Sequence, residues 1–413
     1  MKKYVLLLIF LIIGIRNNAQ TGWFEITPTN YNNVDGGAIY AWNADNVSFV
    51  ASHGIFYKST DGGASWTQNS LNMSTNVTVT DMNFHNNVGI IIGQLGLAFT
   101  TTDGGNTWTQ ANVGTTEMLN KCIVTQDDHI WIVGENGTLL SSFDNGTTWQ
   151  NNNLTTENLN SIIFLDNQTG YLAGNNSTLY KTMDGGLNWI QENITISGYD
   201  DDIFSLSGTN TKTYALIGQA PPFAHSQQIY NNSSNWAVMN INLPNELSDI
   251  YAVNDNIKLA VSVMCTTGGY CQLKVYKTND DFQNLNISFD GNSYAEDISI
   301  ANENTYYLLT SDKIYKTIDG GTYTSNIPID NSISNSFKIY PNPINSNFQI
   351  KFDNSFDINN CKLIIYDLQG RKVMDKKLMV NTNINIDNLQ SGNYILEIIK
   401  NNKTLYVNKI LKL

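Results

Sequence analysis

One octapeptide returns along this chain at nearly constant intervals, and that periodicity constrains the fold more than any other feature. It reads Ser59-Thr60-Asp61-Gly62-Gly63-Ala64-Ser65-Trp66, then Thr101-Thr102-Asp103-Gly104-Gly105-Asn106-Thr107-Trp108. It reads again as Ser142-Phe143-Asp144-Asn145-Gly146-Thr147-Thr148-Trp149 and Thr182-Met183-Asp184-Gly185-Gly186-Leu187-Asn188-Trp189. Successive aspartates at 61, 103, 144 and 184 stand 42, 41 and 40 residues apart. A period of that size suits one four-stranded sheet per repeat.

Three weaker copies continue the series. Tyr230 to Trp236 has lost the Asp-Gly core, Thr278-Asn279-Asp280-Asp281-Phe282 keeps part of it, and Thr317-Ile318-Asp319-Gly320-Gly321-Thr322-Tyr323 keeps most. Each copy follows a lead-in with three strand signals, as in Ser161 to Leu165, Gly170 to Gly174 and Thr178 to Lys181, and Trp189-Ile190-Gln191 begins a fourth. Where the octapeptides decay, the lead-ins at Asp202 to Leu206, Asp249 to Val253 and Asp297 to Ile300 still align. The reading is all-β: a seven-bladed β-propeller over residues 20–329, then a small C-terminal β-sandwich. Trp23-Phe24-Glu25-Ile26 stands before the first repeat, placed to pair with the last sheet and close the ring, which removes a free sheet edge.

The octapeptide resembles the Asp-box, or bacterial neuraminidase repeat, of sialidases, sortilin-type receptors and photosystem II assembly factors. The resemblance covers about residues 22–325. It implies a structural role for Asp61, Gly63, Trp66, Asp103, Gly105, Trp108, Asp144, Gly146, Trp149, Asp184, Gly186, Trp189, Asp319 and Gly321. An aspartate can cap backbone N–H groups of the turn between third and fourth strands, glycine takes φ values closed to other residues, and tryptophan packs between blades.

After a polar linker at 330–336 the pattern changes. Tyr340-Pro341-Asn342-Pro343, Asp367 to Gly370, Leu389-Gln390-Ser391-Gly392-Asn393-Tyr394 and a final strand flanked by Lys409 and Lys412 follow in order. This order, over residues 337–413, is similar to the type A sorting domain of the type IX secretion system. The resemblance implies the export machinery as a partner, passage through the periplasm, and a secreted or outer-surface destination. An adhesive immunoglobulin-like module is the alternative on fold grounds.

The N-terminus agrees with export. Lys2 and Lys3, an apolar run from Tyr4 to Ile15, and Arg16-Asn17-Asn18-Ala19 have the order of a secretory leader, with cleavage expected after Ala19. The run is shorter than a membrane span needs, and an uncleaved anchor is the alternative. In an oxidising compartment Cys265 and Cys271, flanking a five-residue loop, are expected to form a disulfide, free thiols being the other reading. Cys122 and Cys361 sit in apolar runs as small buried hydrophobes.

Chemistry leaves few marks. The net charge of −13 and the two arginines, Arg16 and Arg371, argue against nucleic acid. Residues 20–335 hold no arginine, so the three-arginine clasp of the sialidases cannot be built, nor the arginine patch implied by the photosystem resemblance. A glycoside hydrolase of the Asp-box type remains the enzymatic alternative, with Asp127, Asp128, Asp201 and Asp202 as candidate carboxylates, but turn aspartates are ordinarily turn formers. No Cys/His spacing suggests a metal, no cofactor motif is present, and His53, His85, His129 and His225 lie in separate turns. The expectation is a non-enzymatic binding protein for carbohydrate or protein. Its candidate ligand face lies on loops between second and third strands, at His53, Gln94, Glu135, Asn175, Gln219 and His225.

Overall fold

The structure is a computed structural model that describes residues 22–321 and 337–412, apart from 30, 32–36, 52–53, 74–76, 195–201, 219–227, 232–235, 240–246, 266–270, 341–343, 353–357, 359–360, 367–371, 380–382, 391 and 401–402. Among the described residues it is all-β but for one short 3-10 turn, Gln94–Gly96.

Seven four-stranded antiparallel sheets are built from residues 23–317. The first holds Gly37–Ala41, Val47–Ala51, Ile55–Ser59 and Thr67–Ser70. The first strands of the next six are Val79–His85, Leu119–Val124, Leu159–Phe164, Asp202–Gly208, Leu247–Ala252 and Ala295–Ile300. Six of the seven second strands are buried along their whole length, as at Val88–Gly93 (VGIIIG), and Lys258–Cys265 of the sixth sheet emerges only at its end, whereas the outermost strand Thr67–Ser70 (TQNS) is exposed throughout. A strand covered on both faces needs apolar side chains at every position, and a rim strand does not.

Each hydrophobic cluster in this region is shared by two consecutive sheets. Val50 and Phe56 of the first sheet meet Met82 and Ile91 of the second, and Ile90 and Ala98 of the second meet Cys122 and Ile132 of the third. The series continues to Val261 and Val275 of the sixth sheet packed with Ile298 and Leu308 of the seventh, and Tyr307 and Leu309 of the seventh packed with Phe49 of the first. The packing therefore returns on itself.

The seventh sheet takes its outer strand from the other end of the chain. Trp23–Glu25 pairs antiparallel with Ile314–Thr317, placing Trp23 opposite Thr317. Trp23 is buried, its Nε1 donates to Ser288 Oγ at 3.1 Å, and its ring meets Phe289 edge-on at 5.7 Å.

The first strands are also stitched by side chains. Thr80 Oγ1 donates to the Leu119 carbonyl, Asn120 Nδ2 to that of Leu159, and Asn160 Nδ2 to that of Ile203. Six first strands bulge near their start, just before Asp81, Lys121, Ser161, Ser205, Asp249 and Asp297. A bulge re-aims the side chain that follows it. Here it brings acceptors to the next strand: Cys122 N donates to Asp81 Oδ2 at 2.8 Å, and Ile39 N donates to Asp297 Oδ2 at 2.9 Å.

Further along the chain, Phe337–Tyr340, Asn347–Phe352 and Asn383–Asn385 form a three-stranded sheet. Lys372–Lys377, Cys361–Tyr366, Gly392–Lys400 and Lys403–Lys412 form a four-stranded one in that order. Phe348 and Ile350 of the smaller sheet share a core with Leu363, Ile365, Leu396 and Ile398 of the larger. Among the described residues no helix is long and apolar enough to cross a membrane. The leader at 1–19 and the linker at 330–336 lie outside the described residues.

Candidate functional site

Two ends of the sheets must be distinguished. Turns joining third to fourth strands carry the octapeptides, and loops joining second to third strands lie at the opposite end. At the first end every well-formed turn is held the same way. Asp61 Oδ1 accepts from Ser65 N at 2.8 Å and from Ser59 Oγ at 2.8 Å, and its Oδ2 accepts from Ser65 Oγ at 2.6 Å. Asp103 does this with Thr107 and Thr101, Asp144 with Thr148 and Ser142, and Asp184 with Asn188 and Thr182. Asp319 accepts from Thr317 Oγ1 and Gly321 N. Hydrogen bonds from Thr148 and Ser142 hold the Asp144 carboxyl down at about 2.

The second glycine of each turn sits where a Cβ would collide: 2.8 Å from Phe56 at Gly105, 2.2 Å from Trp131 at Gly186. Trp66, Trp108, Trp149 and Trp189 pack at the edges of the inter-sheet clusters, and Trp66 Nε1 donates to the Ile26 carbonyl.

Sequence reasoning left Asp280 out of this set. Its carboxylate accepts from Asn284 N at 2.9 Å, Asn284 Nδ2 at 2.7 Å and Thr278 Oγ1 at 2.6 Å, and these bonds hold it at about 2. The Gly-Gly pair is replaced there by Asp281 and Phe282, which keep positive φ values of 52° and 65°. The signal was Thr-x-Asp at the right spacing, masked by the lost glycines.

At the opposite end, Gln94, Glu135 and Asn175 occupy equivalent positions, their backbone N–H groups donating to the carbonyls of Thr78, Met118 and Asn158. The structure brings Glu135 and Asn175 together in one depression of about 350 Å3, lined also by Met118, Asn120, Asn158, Asn160, Asp202 and Phe204. Gln94 is not part of it; its Oε1 faces Thr78 N. His53, Gln219 and His225 lie outside the described residues. Asn120 and Asn160 went unread, although the dipeptide Leu-Asn recurs forty residues apart at 119–120 and 159–160. Cys265 and Cys271 pair across the hairpin of the sixth sheet and are joined by a disulfide, while Cys122 and Cys361 are buried thiols outside any disulfide.

Where the first strands line the centre of the ring, charged groups collect. Lys121 Nζ lies 3.1 Å from Asp81 Oδ1, and the charges of Asp297 and Asp249 also act on Lys121. Burial, opposed by Lys121 and reinforced by Asp81 and Asp249, pushes the Asp297 carboxyl up to about 7. Burial followed by Asp249 likewise raises the Tyr251 hydroxyl.

Among the described residues the candidate hydrolase carboxylates do not converge. Asp127 and Asp128 occupy a turn joining first to second strands, where Asp128 contacts His85 Nδ1 at 2.7 Å and Asp127 lies 3.3 Å from His129 Nδ1. Asp202 is at the other end, where its Oδ1 accepts from Asn176 N. Asp201 lies outside the described residues. No group of three potential metal ligands exists among the described residues.

Of the sorting-motif residues, Tyr340 OH donates to Gln349 Oε1 at 2.6 Å, and Tyr394 OH donates to the Gln390 carbonyl at 2.9 Å. Gly392 opens a strand opposite Lys412, and Lys409 is paired with Ile395. Pro341, Asn342, Pro343 and Gly370 lie outside the described residues.

Residues 338–412 match the family model of the secretion system C-terminal sorting domain. Residues 23–116 match that of the photosynthesis system II assembly factor YCF48, and residues 89–242 a DUF6242 beta propeller domain. This chain joins a BNR-type β-propeller to a type IX C-terminal sorting domain. Among solved structures, YCF48 bound to a D1 peptide is 14% identical with a TM-score of 0.56, covering 72% of this chain and 97% of its own. YCF48 from Cyanidioschyzon merolae is 12% identical with a TM-score of 0.53, covering 72% and 98%. The GH74 xyloglucanase from Xanthomonas campestris is 12% identical with a TM-score of 0.55, and the match covers 72% of this chain but only 53% of the xyloglucanase. At such identities the likeness is one of fold. No curated protein matches the sequence. The sorting domain implies secretion or cell-surface export of this propeller protein.

Proposed function

We propose that this chain is a non-enzymatic recognition protein: a seven-bladed propeller over residues 20–329, exported by a C-terminal β-sandwich at 337–413, that binds a carbohydrate or protein ligand through the loops between second and third strands. The seven sheets with cyclic packing support the blade count, and the two sheets around one core support the sandwich. The depression holding Glu135 and Asn175 carries the binding assignment. It lies opposite the octapeptide turns, whose carboxylates already accept several hydrogen bonds from their own turns and have little left to offer a substrate.

Replacing Gln94, Glu135 and Asn175 together and probing glycan and peptide arrays tests the face. Loss of a wild-type signal is expected; an unchanged binding pattern removes the face. The hydrolase reading has one observation in its favour, the raised Asp297 carboxyl beside Asp81 and Asp249 in the centre of the ring. Incubation with polysaccharides and sialosides followed by reducing-sugar detection decides it, since any product release overturns the non-enzymatic assignment. Mass determination of the exported protein tests the processing that the leader and sorting domain imply, with loss of residues 1–19 and 337–413 as the expected product.

A further inference from the structure

The octapeptide turns of the third and fourth sheets differ from those of the first two in what they expose. Phe143, Met183 and Leu187 stand on these turns 41%, 61% and 75% exposed. The equivalent positions of the first two sheets hold Thr60, Thr102, Ala64 and Asn106. Both turns flank one buried indole: the Phe143 and Trp131 rings meet edge-on with centroids 5.9 Å apart, and a Cβ on Gly186 would stand 2.2 Å from Trp131.

Carboxylates surround this apolar patch. Asp127 lies 3.3 Å from the imidazole of His129, whose ring meets Phe143 at 4.7 Å. Asp144 and Asp184 belong to the two turns themselves, and Asp166 to the turn whose Gln168 carbonyl accepts from Gly185 N. Hydrogen bonds from their own turns occupy these oxygens without cancelling the charge. Lys181, beside the fourth-sheet turn, is turned over the Tyr171 ring at 5.4 Å. An apolar centre with a charged margin is the anatomy of a protein interface, and this one calls for a cationic occupant.

The same chain carries such an occupant. Residues 22–321 hold nine lysines and no arginine against 29 aspartates and glutamates, whereas residues 337–413 hold ten lysines and Arg371 against six. In the hairpin of Cys361–Tyr366 and Lys372–Lys377, exposed Lys362 stands directly opposite exposed Lys377, a repulsive arrangement that a nearby anion relieves. Asp375, the acid among the described residues of that hairpin, is bonded to Lys372 at 2.9 Å. Lys376 is exposed beside them, and Met379 follows, 64% exposed. The chain leaves the ring at Gly321, in the octapeptide turn of the seventh sheet, so the tether starts at the end that bears the patch. Its fifteen residues, 322–336, reach at most about 50 Å and hold the two parts at a local concentration on the order of millimolar, at which a weak contact forms.

We propose that the sorting domain docks on its own propeller, with Lys362, Lys376 and Lys377 against the carboxylates around the third- and fourth-sheet turns and Met379 against Phe143, Met183 and Leu187. This surface lies at the end opposite the recognition face and does not rest on that reading.

Carbodiimide coupling of the full chain at low salt tests the contact, because it joins a lysine to a carboxylate only where the two touch. Mass spectrometry should find amides joining Lys362, Lys376 or Lys377 to Asp127, Asp144 or Asp166. Their yield should fall at least about fivefold in high salt and in a Met183→Thr, Leu187→Asn double variant. That variant introduces the side-chain types which the second sheet carries at Thr102 and Asn106, so its melting transition should not drop. A Lys376→Glu, Lys377→Glu variant carries the same expectation from the other side of the contact. Coupling a mixture of 15N-labelled and unlabelled chains separates contact within one chain from contact with a second copy. Absence of these amides, an equal yield in the folded variants, or amides that join labelled to unlabelled chains overturns the proposal.

Discussion

Phe282 meets Tyr214 edge to face across the seam between the fifth and sixth sheets, with ring centroids 5.6 Å apart and planes at 73°. Phe282 is buried and stands where the other octapeptides have their second glycine, so an aromatic ring from the turn fills space that neighbouring sheets fill from the other side. At Gly105 and Gly186 that space belongs to Phe56 and Trp131 of the preceding sheet. Asp281, also at positive φ, pairs with Lys212 of the fifth sheet and accepts from Tyr214 OH at 2.8 Å, so the same turn anchors the seam by charge as well as by packing.

The first prediction follows from that exchange. Phe282→Ala removes a buried ring and is expected to cost about 3–5 kcal/mol in denaturant unfolding. At φ 65° a Cβ is itself unfavourable, so Phe282→Gly is expected to be no less stable than Phe282→Ala, reversing their usual order. A glycine variant less stable than the alanine variant would sink this account of the turn.

Ring closure gives the second. Trp23→Ala deletes a side chain packed on Phe289 and Tyr306 and breaks its bond to Ser288. A loss of about 3–5 kcal/mol is expected, with faster hydrogen exchange at Tyr315 to Thr317, the residues paired with the closing strand. Exchange that rises instead in the fourth sheet would contradict closure at this seam.

The third concerns acid. Hydrogen bonds from the turns lower the carboxyls of Asp144 and Asp280 from an ordinary value of 3.8 to about 2. A depressed folded-state value stabilises the fold above the unfolded value and is lost as pH falls through the folded one. Stability should therefore decline between about pH 4 and pH 2, and the decline should be shallower in an Asp144→Asn, Asp280→Asn double variant. Equal slopes for both proteins would separate these carboxylates from the acid transition.

How far these sites could be read in advance depended on whether their chemistry lay within one repeat. Asp61, Asp103, Asp144 and Asp184 bond to groups within four residues on either side, so spacing alone exposed them. Trp23 was legible as a closing strand because an apolar segment preceded the first repeat. Asp280 was obscured by the loss of two glycines whose role a buried phenylalanine had taken. The depression draws Glu135 from one repeat, Asn160 and Asn175 from the next and Asp202 from a third, and single-repeat patterns say nothing of such convergence. The central charges were least legible, since Asp81, Lys121, Asp249 and Asp297 meet only because bulges in four different sheets turn them the same way.

Asp297 supplies the last prediction, with the opposite sign to the turn carboxylates. Its carboxyl is buried beside Asp81 and Asp249, with Lys121 opposing them, and is raised from 3.8 to about 7. The folded state then holds a proton that the unfolded state has released. This contribution is fully present below about pH 4 and is lost as pH rises to 7, with a slope of at most about 1.4 kcal/mol per pH unit for one proton. Asp297→Asn removes the titration, so its stability should lack this fall between pH 4 and pH 7, in a window that does not overlap the acid transition of the turns. The variant also weakens acceptance from Ile39 N and Ile298 N, so its absolute stability should drop at every pH while the slope flattens. Denaturant midpoints at pH 4.5, 6 and 7.5 separate the two effects, because a uniform drop with an unchanged slope would mean that Asp297 is ionised throughout this range.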